Sequence, residues 1–95
     1  MLKPEFSRGQ LASILGINTQ TIANREKSGK YPEPKRDVND FRYYTLEDVF
    51  AIQLISFNAI NPAPILEVMY DIGYRDQKAM TQILDETLNN YIGKK

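Results

Sequence analysis

The spacing of apolar residues near the start of the chain predicts a short helix. Ser7 and Gln10 form a capping-box pattern, in which each side chain accepts a hydrogen bond from a backbone N–H at a helix start. The helix is therefore predicted to begin at about Arg8. Gly16 supplies the left-handed conformation that ends many helices. Between these limits the apolar positions follow the i, i+3, i+4 spacing of one helix face: Leu11, Ile14 and Leu15.

A second helix is predicted only two residues later. Asn18 is a favourable N-cap, and residues 19–27 contain few apolar positions, chiefly Ile22 and Ala23, before Ser28 and Gly29 stop the helix. Two short helices joined by a glycine turn are typical of a helix-turn-helix unit, whose second helix keeps a polar side for DNA. A plain helical hairpin fits this stretch equally well when the stretch is taken alone.

The segment that follows breaks the helical pattern. Pro32 and Pro34 exclude a helix, residues 37–40 have turn composition, and the aromatic residues after them favour a strand. We interpret the segment as a small β-hairpin, or wing. Strand alternation cannot put every aromatic residue on one face, and we expect Phe41 and Tyr44 to enter the core.

Three further helices are predicted in the second half. Thr45 and Asp48 form a capping pattern for a helix that is apolar nearly all round and should be central to the core. Asn61, followed by proline, starts the next helix, which stops at Gly73. Asp76 opens the last helix.

The apolar residues of the last helix form a stripe that suits either the core or a partner helix. We select it as the candidate dimerisation face: Met80, Ile83, Leu84, Leu88 and Tyr91. The predicted fold class is mainly α, a winged helix-turn-helix with a small β-hairpin wing and additional C-terminal helices. Residues 1–76 are predicted to form the DNA-binding domain, and residues 77–95 a C-terminal helix for dimerisation or core packing.

Composition narrows the possible chemistry. A chain of 95 residues, 42% hydrophobic and 25% charged, suits one soluble globular domain. The lack of Cys and His removes the usual soft metal ligands, thiol nucleophiles and the commonest general base. We therefore expect no enzyme, no metal, no cofactor and no small-molecule effector. The absence of a long apolar run or signal segment predicts no membrane contact and a cytoplasmic location, at the bacterial nucleoid.

The charge is unevenly divided. The net charge is zero, but residues 1–44 carry eight Lys and Arg against five Asp and Glu, a surplus of three that the remainder balances. The positive potential therefore lies on the half that contains the predicted helix-turn-helix.

Four segments together resemble the MerR family of bacterial regulators. They are residues 6–12 (FSRGQLA), residues 16–22 (GINTQTI), Gly29, and residues 42–48 (RYYTLED). The resemblance implies a winged helix in which the second predicted helix enters the major groove of DNA. It further implies that Arg42 holds a phosphate, with Tyr43 beside it at the backbone.

The resemblance has two departures. The family's characteristic Arg aligns with Ala23, and the two aromatic residues after it align with Asn24 and Arg25, so the target sequence should differ. Asn24 and Arg25 are suitable readers in their own right, because Asn can pair with adenine and Arg with guanine. The long dimerisation helix and the cysteine metal site of the family are also missing, so neither metal nor drug sensing is implied.

These arguments define a candidate DNA-contacting set, for which the alternative is an ordinary solvated polar face. The set is Thr19, Gln20, Thr21, Asn24, Arg25, Lys27, Lys30, Lys35, Arg36, Arg42 and Tyr43. We expect a sequence-specific binder of double-stranded DNA, acting as a homodimer or cooperative array. Its role would be that of a transcriptional regulator or a phage- or plasmid-type architecture, excision or partition factor. The alternative is a protein-interaction adaptor that uses the C-terminal helix, whose binding would respond little to salt.

Overall fold

The computed structural model describes residues 3–57 and 59–93, and within them the chain is mainly helical with a small antiparallel sheet. The elements in chain order are β1 (Glu5–Phe6), α1 (Arg8–Leu15), α2 (Thr19–Lys27), β2 (Lys35–Arg36), β3 (Arg42–Thr45), α3 (Leu46–Phe57), α4 (Pro62–Ile72) and α5 (Gln77–Gly93). This layout is compatible with a winged helix. None of the described helices is long and apolar enough to cross a membrane.

The predicted ends of α1 and α2 are confirmed. The Ser7 hydroxyl accepts from the Gln10 backbone N–H at 3.1 Å, and the Gln10 side chain accepts from the Ser7 N–H at 2.8 Å. Gly16 ends α1 in the left-handed region, at φ 70°. Asn18 caps α2 by accepting from the Thr21 N–H at 2.8 Å. Capping thus fixes the tight connection between the two helices.

The predicted hairpin is also confirmed, and it belongs to a three-stranded sheet in the order β1-β3-β2. β3 pairs with β1 on one side, where Phe6 lies opposite Tyr44, and with β2 on the other, where Arg36 lies opposite Arg42. The sequence analysis did not predict β1. Because β1 has only two residues, it has no alternating pattern to detect.

The core lies between the sheet and all five described helices. α1 packs against α4, and α3 and α4 pack against α5. The fully buried side chains include Phe6, Leu11, Ile22, Tyr44, Val49, Phe50, Ile52, Ile65 and Met69. Their burial in one connected cluster is the main source of stability, at about 1.5–3 kcal/mol for each large apolar side chain removed from water.

The prediction that Phe41 enters the core is wrong, whereas the same prediction for Tyr44 is confirmed. Phe41 is 68% exposed at the tip of the hairpin, and Tyr44 is buried. Side chains alternate between the faces of a strand, so two residues three apart project to opposite faces. Burial of Tyr44 therefore turns Phe41 away from the core.

Two other large side chains, Ile55 and Tyr70, are exposed on the surfaces of helices. The first turns of α3 are central to the core, as expected. Ile55, near the C-terminal end of α3, is 55% exposed. Tyr70 on α4 is 48% exposed. The Arg75 guanidinium lies 4.9 Å from the centre of the Tyr70 ring, so this ring is covered by a cation and not by core side chains.

Candidate nucleic-acid interface

The outward side of α2 carries a row of polar side chains. Gln20, Asn24 and Lys27 are spaced i, i+4, i+7, so they lie along one side of the helix, and all three are exposed. The Gln20 amide donates to the Asn24 side-chain oxygen at 3.1 Å. We call these three residues the outer row. Its amides and cation are the groups that pair with base edges and phosphates.

The inward side of α2 is tied to two other elements through Glu26. The carboxylate of Glu26 accepts hydrogen bonds from the Arg8 guanidinium on α1 and from the Tyr44 hydroxyl on β3. Arg8 Nε also donates to the Tyr44 hydroxyl at 3.3 Å. The Glu26 side chain is only 8% exposed. These bonds join α1, α2 and the sheet, and they fix which side of α2 faces outward.

The electrostatics of this triad keep both of its donors protonated. Burial and the hydrogen bond to Glu26 raise the pKa of Tyr44 to about 12. Burial alone would lower the pKa of Arg8, but the hydrogen bond and charge interactions with Tyr44 and Glu26 outweigh burial and raise that pKa. Tyr44 is therefore a neutral donor and Arg8 a cation at physiological pH.

Arg25 lies outside the outer row. Its Nη1 donates to the Tyr31 hydroxyl at 2.6 Å, and its guanidinium carbon is 5.4 Å from the centre of the Tyr31 ring. Tyr31 is buried and is also hydrogen bonded to Ser56 of α3. The sequence analysis assigned Arg25 to base reading, and the structure gives it an intramolecular partner, Tyr31, which links the end of α2 to α3.

A groove of about 290 Å³ separates α2 from the hairpin, and basic residues from several elements line it. Lys27 of α2 lies on one side, and Arg36 and Arg42 lie on the hairpin side. Arg36 pairs with Asp40 at 3.2 Å in an exposed ion pair, which contributes little to stability. The remaining lining residues are Arg8, Ala23, Glu26, Glu33 and Pro34. The structure thus brings together three of the predicted DNA-contacting cations.

Lys35 and Tyr43 face away from that groove. They are register partners one step along from Arg36 and Arg42, so alternation directs them to the opposite face of the hairpin. There they line a separate groove of about 340 Å³. Lys35 Nζ is 2.9 Å from a carboxylate oxygen of Asp48. The resemblance implied that Tyr43 lies beside Arg42 at the DNA backbone, and in this structure the two side chains lie on opposite faces of the hairpin.

The other predicted contact residues flank the outer row. Thr19 is exposed at the start of α2, while Thr21 is half-buried and donates its hydroxyl to the Asn18 side chain at 2.8 Å. Lys30 is exposed in the turn after α2, and its backbone N–H donates to the Arg25 carbonyl at 2.9 Å.

The sequence analysis missed Arg8 and Glu26, which position α2. A signal for Glu26 was present, because it follows the apolar Ile22 by four residues and so shares the buried side of the helix. A carboxylate on a buried side requires a partner. Its partners, Arg8 and Tyr44, lie 18 residues away on either side along the chain, so local spacing could not identify them.

The candidate dimerisation stripe on α5 packs inside the chain. Met80, Ile83 and Leu84 are each 6% exposed or less, and Leu88 packs against the same cluster. The Tyr91 ring lies 6.3 Å from the Phe50 ring. These contacts fit the other role that the sequence analysis gave to the stripe, which is packing in the core. Dimerisation through them stays a prediction, and it would require this core to open.

No protein family and no solved structure matches the chain. The chain is similar to a Type II methyltransferase, M.Eco47II of Escherichia coli, with 37% identity over 49 residues. The matched segment is 52% of this chain and 12% of the methyltransferase. The similarity is therefore confined to a small part of that protein's length.

Proposed function

We propose that this chain binds double-stranded DNA sequence-specifically as a winged helix-turn-helix of the MerR type. In this proposal α2 enters the major groove, with the outer row toward the base edges. The β2–β3 hairpin serves as the wing, and Arg42 holds a phosphate next to the groove that α2 occupies. A transcriptional regulator, or an architecture, excision or partition factor, would each use such a reader.

One observation carries the proposal: the outer row of α2 and the cationic groove beside it are adjacent and joined by Lys27. Lys27 belongs to the outer row and also lines the groove opposite Arg36 and Arg42. Readers of duplex DNA need both parts, because phosphate contacts fix orientation and base contacts give specificity. A merely solvated polar face needs no such juxtaposition.

The zero net charge is compatible with this function because the relevant cations are clustered. Arg36 and Arg42 are cross-strand partners, and Lys27 faces them across the groove. Each cation that neutralises a phosphate releases condensed counterions, so affinity depends on the local cluster and falls as salt rises.

The similarity to a Type II methyltransferase supports a role at DNA, but it covers only 12% of that protein, so the activity of the whole enzyme is not extended to this chain. A single short recognition helix and hairpin bury limited surface. We therefore expect high specific affinity to require a second copy or a neighbouring protein on a repeated site.

The test is selection of bound fragments from a genomic DNA library at moderate salt, followed by sequencing. The wild-type chain is compared with a double variant of the outer row, Gln20→Ala with Asn24→Ala. The matched control is Gln82→Ala with Asn89→Ala, which removes the same two kinds of uncharged side chain from the exposed side of α5.

We expect a repeated motif to be enriched by the wild type and by the control, and to be lost or altered in the outer-row variant. Equal enrichment by all three proteins would exclude base reading by the outer row. Failure of the wild type to retain any duplex would overturn the proposal and favour a protein-interaction adaptor.

A further inference from the structure

The two cations of α2 are not placed to read bases. The Arg25 guanidinium donates to the Tyr31 hydroxyl at 2.6 Å, and its carbon is 5.4 Å from the centre of the Tyr31 ring. Lys27 lines the groove beside the hairpin, where a phosphate is the ligand expected of a cation. The contact that Arg or Lys commonly makes with guanine in the major groove is therefore not expected from α2.

The neutral amides of Gln20 and Asn24 remain on the outer side of α2, and they are bonded to each other. Gln20 Nε2 donates to Asn24 Oδ1 at 3.1 Å, and both side chains are exposed. A side-chain amide has two N–H donors and one oxygen acceptor. Because the bond to Asn24 uses one N–H of Gln20, the Gln20 amide keeps one donor and one acceptor for a ligand.

One donor with one acceptor is the pattern that adenine requires in the major groove. Adenine presents the N7 acceptor and the N6 amino donor there, whereas guanine presents two acceptors and cytosine a donor. We propose that Gln20 reads an adenine by donating to N7 and accepting from the N6 amino group, and that Asn24 positions Gln20 for this contact. The inference rests on the proposed function, and it assigns the base and divides the roles within the outer row.

The places of the two residues on α2 fit these roles. Gln20 is the second residue of α2, and residues at the N-terminal end of a recognition helix contact base edges. Asn24 follows one turn later on the same side of the helix. A free glutamine side chain loses rotamer freedom when it binds. The bond to Asn24 orders the Gln20 amide before DNA arrives, and this lowers the cost of binding.

The test uses the duplex recovered by library selection, in which the adenines of the motif are replaced one at a time by 7-deazaadenine. This analogue lacks the N7 acceptor and still pairs with thymine. Gln20→Ala removes the proposed reader, Asn24→Ala removes the positioning oxygen, and Asn24→Asp keeps an acceptor for Gln20. Gln82→Ala is the control, because Gln82 is an exposed glutamine on α5.

For the wild type we expect 7-deazaadenine at one position of each half-site to lower the affinity about tenfold. Gln20→Ala should bind the unmodified duplex about tenfold more weakly than the wild type does, and 7-deazaadenine at the same position should then have no further effect. Gln82→Ala should respond to the analogue as the wild type does.

The positioning role of Asn24 is measured by the ratio of the affinities for the unmodified and the modified duplex. Asn24→Ala should lower this ratio about twofold to threefold, because the Gln20 amide is no longer ordered. Asn24→Asp should retain the ratio, while its negative charge lowers the affinity for both duplexes alike.

The outcomes separate this inference from the proposed function. If 7-deazaadenine weakens Gln20→Ala as much as the wild type, or if no adenine of the motif contributes to affinity, adenine reading by Gln20 is excluded while DNA binding stands. If Asn24→Ala, and not Gln20→Ala, abolishes the response, the assigned roles are wrong. An unchanged ratio in Asn24→Ala would exclude positioning by Asn24. If the wild type binds no duplex, both proposals fail together.

Discussion

Glu26 is a carboxylate on the inner side of a helix whose outer side is polar, and its two donors come from distant parts of the chain. Glu26→Gln keeps the shape of the side chain but removes the negative charge to which Arg8 and Tyr44 donate hydrogen bonds. We expect the free energy of unfolding to fall by about 1–2 kcal/mol, since Arg8 is left partly buried without its counter-charge. Chemical denaturation checks this value.

Glu33→Gln is the control, because Glu33 is exposed and lines the same groove. It should leave stability within about 0.5 kcal/mol of the wild type. Equal losses in the two variants would mean that general charge balance, and not the triad, holds α2.

The raised pKa of Tyr44 makes stability depend on alkaline pH. The unfolded chain releases the Tyr44 proton near the ordinary pKa of 10.0, whereas the folded chain retains it until about pH 12. Unfolding therefore becomes more favourable as pH rises through this range, and the free energy of unfolding should fall by up to about 2 kcal/mol.

Denaturation at a series of pH values, compared between the wild type and Tyr44→Phe, isolates this contribution from the other tyrosines. The variant should lose less stability between pH 10 and 12. Parallel curves for the two proteins would show that Tyr44 is not the group responsible.

At the scale of elements, the connection between α1 and α2 depends on one left-handed residue. Gly16 has φ 70°, and a Cβ there would meet no neighbour, so Gly16→Ala should cost about 1 kcal/mol through backbone strain alone. Gly9 lies inside α1, where alanine is the better helix former and has room. Gly9→Ala should therefore stabilise the protein by about 0.5 kcal/mol.

Thermal unfolding of the two glycine variants checks this expected difference in sign. A loss in both would indicate that α1 does not tolerate an added methyl group, and a loss in neither would mean that the turn is free to relax.

Sequence patterns predicted the elements that local chemistry determines. The caps at Ser7, Asn18 and Asn61 are formed by residues next to the helices that they begin, so they are readable along the chain. β1 was missed because a two-residue strand exists only through its pairing with β3. The wrong prediction for Phe41 had a similar cause. Which aromatic residues of the hairpin are buried depends on how the sheet packs on the helices, and the sequence pattern alone does not show this.

At the scale of the whole molecule, α5 completes the core. Leu84→Ala removes a buried side chain and should lower the free energy of unfolding by about 2–4 kcal/mol. If Leu84 acts within one chain, this loss is independent of protein concentration, whereas a dimer contact would make the melting temperature rise with concentration. Thermal unfolding at several concentrations makes the distinction, with exposed Gln82→Ala as the control.

Salt dependence tests the division of cations between the two faces of the hairpin. Arg42→Ala should reduce the slope of log affinity against log salt by about 1, because one phosphate contact is lost. Lys35→Ala should change the slope much less, since the Lys35 ammonium is bound to Asp48 on the other face. Duplex binding titrated at several salt concentrations measures both. Equal slope changes would place Lys35 at the DNA as well.

The sequence analysis predicted most residues of the candidate interface, but it could not predict which of them lie together in the fold. Lys35 and Arg36 are neighbours with similar side chains, yet alternation directs them to different grooves. Arg25 was predicted as a reader from its residue type, whereas its partner Tyr31 is placed beside it by the fold, which buries Tyr31 and bonds it to Ser56 of α3.

The hydrogen bonds of Glu26 hold α2 from its inner side and leave the outer side free of structural bonds to other elements. This arrangement affects how the sequence of α2 can change during evolution. The outer row makes no contribution to the core, so substitutions at Gln20, Asn24 and Lys27 leave the helix anchored in the same orientation. In the proposed mode of DNA binding, recognition can then change by exchange of a few surface side chains while the fold is retained. New target preferences would be reachable by single steps, each of which yields a folded protein.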